Sequence, residues 1–88
     1  MSIFVVFNAS HPQTLGPVIR QEYGTEYLEL GHDGWLISAN ETAREVSIRL
    51  GLLETEHGSA IVFKMDSYFG RATTEVWDWI KTKLEASA

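Results

Sequence analysis

The residue types that most often do chemistry are sparse and separated in this 88-residue chain. Its three histidines, His11, His32 and His57, fall in stretches that read as loops. No two have the i, i+4 spacing that would set a pair of metal ligands on one helix face. His57 follows Glu56, and His11 lies just beyond Asn8 at the end of the first apolar run, where ligands can gather. Asn8 and His11 are therefore the candidate strand-end site. No serine stands in a GxSxG elbow, and there is no glycine-rich phosphate loop. The absence of cysteine removes disulfides and thiolate metal ligands together. The sequence assigns no catalytic residue, no metal and no cofactor.

What the chain offers instead is recognition chemistry. Tyr68-Phe69-Gly70-Arg71 gathers the aromatic and arginine side chains that dominate binding hot spots. Trp77 and Trp79 follow on a helical stretch. Ile48 lies about 140° around a second helix from Ala43, pointing away from its apolar stripe. Tyr68, Phe69, Arg71, Trp77, Trp79 and Ile48 form the candidate partner-binding set. A structural alternative packs Tyr68 and Phe69 beneath the terminal helix and pairs Arg71 with an acid such as Glu75.

These residues need elements to position them. Ile3–Phe7 is apolar without alternation, as in a central strand buried on both faces. A loop over Asn8–Gln13 leads to a helix over Leu15–Tyr23, capped by Thr14 and ended by Gly24. Glu26–Leu30 alternates and carries two glutamates, the mark of an edge strand protected by charge. Gly31-His32-Asp33-Gly34 reads as a hairpin turn, with Asp-Gly its strongest signal. Trp35–Ala39 returns as an interior strand. Thr42-Ala43-Arg44-Glu45 fits a capping box for a helix over Ala43–Leu50, with Ala43, Val46 and Leu50 inward and Gly51 at its end.

In the last third, Ala60–Met65 alternates, with Ile61, Phe63 and Met65 on one face and Ala60, Val62 and Lys64 on the other. Asp66 follows this strand much as Asn8 follows the first, but antiparallel pairing puts the two at opposite ends of the sheet. A helix over Thr74–Glu85, with Thr73 as N-cap, places Val76, Ile80 and Leu84 on one stripe flanked by Trp77 and Trp79.

The order β-α-β-β-α-β plus a helix is the ferredoxin-like, split βαβ arrangement, an α+β sandwich with an additional C-terminal helix. Right-handed crossovers give the sheet order 4-1-3-2, with the apolar first and third strands central. The whole chain is one domain, with a core over residues 2–66 and an extension over 67–88.

Twelve acidic against seven basic residues leave a net charge of −5, and the basic ones form no run. Without a basic footprint, nucleic acid is not an expected partner. The longest apolar start, Ile3–Phe7, is far too short for a signal or membrane segment, so a cytoplasmic protein is expected.

Tyr27-Leu28-Glu29-Leu30, then Trp35-Leu36-Ile37-Ser38, then Thr42-Ala43-Arg44-Glu45 and a last strand resemble small SinR-like bacterial proteins. These in turn resemble the small ferredoxin-like subunit of CRISPR spacer acquisition and its VapD-type toxin relatives. The likeness covers roughly Ser2 to Met65 and rests on pattern. It implies an aspartate at the end of the first strand, holding a metal in nuclease-like members. Here that position is Asn8, and a neutral amide is a poor ligand for a hard divalent cation.

The expected function is a non-enzymatic protein-interaction module that forms a homodimer. The two crossover helices of this fold share one sheet face, while the central strands are apolar on both. The uncovered face, or the terminal helix packed near it, is then the self-association surface. The alternatives are a metal-dependent nuclease-like protein of that superfamily, and an acidic regulator or inhibitor of a nucleic-acid-handling protein.

Overall fold

The computed structural model describes residues 2–9, 15–31, 33–53 and 59–86, with side chains through residue 84. The chain runs β1 (Ser2–Asn8), α1 (Leu15–Tyr23), β2 (Tyr27–Leu30), β3 (Gly34–Ala39), α2 (Ala43–Arg49), β4 (Ala60–Lys64) and α3 (Thr74–Ala86). The four strands form one antiparallel sheet in the order β2-β3-β1-β4. The two runs that are apolar without alternation, β1 and β3, occupy the middle, because only a strand covered on both faces can bury such a run. The two alternating runs, β2 and β4, form the edges. The Thr14 cap expected from the sequence lies outside the described residues.

Side chains alternate across the strands and so sort onto two faces. Phe4 and Val6 from β1 and Trp35, Ile37 and Ala39 from β3 meet Leu15, Ile19 and Tyr23 of α1, Val46 of α2 and its C-cap residue Leu50. Ile3 and Leu36 lie on the other face, buried with Ile80 of α3. The sheet is therefore sandwiched, with α1 and α2 on one side and α3 on the other.

The local signals explain where elements stop. Thr42 Oγ1 accepts from the Glu45 N–H at 3.1 Å, and Glu45 Oε1 accepts from the Thr42 N–H at 2.9 Å, a reciprocal capping box. α2 ends in a Schellman motif. Gly51, at φ 74°, donates to the Ile48 carbonyl at 3.0 Å, and Leu52 donates to that of Ser47 at 2.9 Å. α2 has only seven residues, too few to persist without its caps. Thr42→Ala is expected to cost about 1 kcal/mol of stability, measurable as a lowered urea midpoint at unchanged slope.

Two local readings change. The β2–β3 turn does not use Asp-Gly as its central pair. Gly34 already pairs with Leu30 inside the ladder, and the positive φ, 71°, falls at Gly31. The ladder wins because pairing from Leu30–Gly34 onward keeps Leu28 and Leu36 on one face. Asn8 is also not a loop residue. It is the last residue of β1, paired with Ala60, and it is buried. Its N–H donates to the Asp33 carbonyl at 2.7 Å, so one more rung of backbone bonding extends the strand.

Candidate interaction surface

α3 covers only part of its face. The register defines three rows of side chains there: Glu26–Ser38–Ile3–Met65, then Leu28–Leu36–Val5–Phe63, then Leu30–Gly34–Phe7–Ile61. α3 crosses the first two rows, over Ile3 and Leu36, with Leu28, Leu30, Val5 and Met65 half-buried around that contact. Near its N-terminus Trp77 stacks on Tyr68, with ring centroids 5.8 Å apart. Near its C-terminus Lys83 Nζ reaches Glu26 Oε2, just before β2, at 2.6 Å. Between them Ile80 seats on Ile3 and Leu36.

The covering ends at the β1–β4 corner of the face. Ile3 and Leu36 are 2% and 3% exposed, whereas Phe7, Ile61 and Phe63 are 51%, 50% and 52% exposed. Phe7 pairs with Ile61, and Phe63 lies opposite Val5, so the exposed side chains are immediate neighbours at the β1–β4 side. At roughly 200 Å² for a whole aromatic side chain, the three leave about 300 Å² of contiguous apolar surface. Of the twelve residues in the three rows only Glu26, at the far edge and paired with Lys83, is ionisable.

The candidate partner-binding residues divide. Tyr68 and Trp77 come together in the stack at the N-terminal end of α3. Trp77 and Trp79 are both half-buried against the second core cluster, so Trp79 does not want for neighbours. Lys83 Nζ also stands 5.8 Å from the Trp79 ring centroid. Phe69 is fully exposed and does not pack beneath the helix. Arg71 is exposed, and no ion pair with Glu75 forms among the described residues. Ile48 points to solvent as expected, but from α2 on the opposite side of the sheet. The six therefore do not make one patch.

Asn8 lies on the α1/α2 face, with Phe4 and Val6. Asp66 is at the far end of β4, so the two do not share a site. His11, His32 and His57 fall outside the described residues. Among the described residues no group of three or more histidines, carboxylates or cysteines lies close enough to hold a metal ion.

The densest polar cluster lies at the end of α1, around a depression of about 340 Å³ lined by Glu22, Tyr23, Ser38, Glu41 and Arg49 among others. Arg49 donates through Nε to Glu22 Oε1 at 3.2 Å, through Nη1 to Glu41 Oε1 at 3.0 Å, and through Nη2 to the Glu22 carbonyl at 2.8 Å. Its guanidinium lies 4.5 Å from the Tyr23 ring centroid, and the Tyr23 hydroxyl donates to Glu41 Oε1 at 3.3 Å. The cluster ties α1 to both ends of α2, and its groups are engaged with one another. Burial pushes the Tyr23 phenol up from 10.0 to about 12; the Glu41 carboxylate adds to the rise and the Arg49 guanidinium opposes it. A raised pKa means the fold favours the protonated phenol. The contribution is complete below pH 10 and is lost as pH climbs toward 12. Thermal melts should weaken across that interval in the wild type, and less so in Tyr23→Phe.

The fold and surface define a small α+β protein with a four-stranded antiparallel sheet, one face of which is left uncovered at one corner. No helix among the described residues is long and apolar enough to cross a membrane. The chain matches no protein-family model, no curated protein and no solved structure.

Proposed function

We propose that this is a protein-interaction module of ferredoxin-like topology, related in pattern to the SinR-like proteins, that works as a homodimer rather than as an enzyme. The observation that carries the reading is the uncharged trio Phe7, Ile61 and Phe63, half exposed and adjacent in register beyond the edge of α3. Apolar surface is driven out of water, and a contiguous patch of about 300 Å², the size of the largest on a typical monomer, is often functional. A second copy suits it because a two-fold axis lets one patch serve both chains. Phe69, Arg71 and Ile48 remain available on other surfaces.

A second copy that binds only the folded chain stabilises it by mass action, so the melting temperature rises with protein concentration. Melts over a hundredfold range of concentration should show that rise, and a constant midpoint would count against the module. Cleavage assays on single- and double-stranded nucleic acids with Mg²⁺ or Mn²⁺ decide against the enzymatic alternative. The expected outcome is no turnover, and metal-dependent cleavage abolished by changing one acidic cluster would replace the proposal with a nuclease.

A further inference from the structure

The three exposed side chains supply about 300 Å², well short of the roughly 800 Å² per partner of a standard stable interface. The backbone of β4 offers what the patch lacks. Met65 donates to the Ile3 carbonyl at 2.8 Å and Ala9 to that of Ser59 at 2.8 Å. In an antiparallel ladder every second residue bonds the same neighbour. Ser59, Ile61, Phe63 and Met65 therefore bond toward β1, while the N–H and C=O groups of Ala60, Val62 and Lys64 point outward from the sheet. β4 is the edge, and these three residues have no hydrogen-bond partner among the described residues.

The other edge is defended. β2 is short, carries exposed Glu29, and is preceded by Glu26 in its ion pair with Lys83. β4 reads Ala-Ile-Val-Phe-Lys, with its one charge at the end.

We infer that β4 pairs antiparallel with β4 of a second copy, centred on Val62, to make one continuous eight-stranded sheet. This rests on the self-association proposed above and specifies its geometry. The register centred on Val62 uses all five residues of the strand. It sets Val62 opposite its own copy, Ala60 opposite Lys64, and Ile61 opposite Phe63, so no like charges face each other. Ile61 and Phe63, the half-exposed residues of β4, become cross-strand neighbours on the α3 side. On the other side α2 lies over β4, so the same axis brings the two α2 helices alongside one another and adds area.

Two experiments on the full chain test this. Val62→Pro removes an N–H that faces away from β1, a position where an edge strand tolerates proline. The circular dichroism spectrum should stay that of the folded chain, while the dimer dissociation constant rises about tenfold or more, as two symmetric hydrogen bonds are lost. An equimolar mixture of Ile61→Cys and Phe63→Cys chains sets the two cysteines at a non-hydrogen-bonded pair, about 4.5 Å apart between Cα atoms and within reach of a disulfide. Mild oxidation of the mixture should give a covalent dimer, and Glu29→Cys on the other edge should not. A folded Val62→Pro variant that dimerises like the wild type, or an Ile61→Cys and Phe63→Cys mixture that fails to cross-link in a dimeric sample, overturns edge pairing and leaves face-mediated association standing. A wild type that stays monomeric at every concentration overturns both, and leaves the edge to an extended peptide of another protein.

Discussion

Phe63→Glu should separate the two copies while leaving each one folded. Phe63 is 52% exposed on an edge strand, so a carboxylate there keeps most of its water in the single chain. The cost to the monomer is expected within about 1 kcal/mol, in the range of surface substitutions that remove some packing. In the dimer the same carboxylate would be buried among apolar side chains with no cation in its row. Burying an unpaired charge costs several kcal/mol, enough to weaken association by about a hundredfold or more. Sedimentation velocity beside a urea titration reads both quantities on one sample. A variant that associates like the wild type would remove Phe63 from the interface.

Phe4→Ala has the opposite signature. Phe4 is completely buried at the middle of the sheet, between β3 and β4 and beneath the two crossover helices. Removing its ring leaves a cavity that backbone hydrogen bonding on both sides prevents from collapsing. Such truncations cost about 3–5 kcal/mol. A domain of this size holds only some 5 kcal/mol or slightly more in total. The variant should lose its cooperative thermal transition, and its association should fail only because the fold has. An intact melt within a few degrees of the wild type would contradict this picture of the core.

Much of the architecture is legible in the sequence because its signals are physical and local. The unbroken apolar runs at Ile3–Phe7 and Trp35–Ile37 belong to the two strands with neighbours on both sides. The capping box at Thr42–Glu45 and the glycine at position 51 bound α2 within a residue. The terminal residues of strands are less legible. Asn8 carries a turn-forming side chain, yet its backbone is claimed by Asp33 and its strand by Ala60.

The exposed surface is legible by half. The alternation that puts Ile61, Phe63 and Met65 on one face of β4 is plain, and so is the second apolar face of β1. What no local pattern carries is how far α3 travels across that face. That depends on Ile80 seating on Ile3 and Leu36, and on Lys83 meeting Glu26, 57 residues earlier in the chain. The candidate residues chosen by type scatter for the same reason. Trp79 and Trp77 are drawn into the core by that crossing, while Phe7, ordinary in sequence, is left outside it.

The most direct measurement is the mass of the wild-type chain by light scattering from low to high micromolar concentration. One chain weighs 9.9 kDa. The exposed trio on the β4 side predicts a mass that climbs to twice that value and levels there. A mass that holds at 9.9 kDa throughout would contradict it.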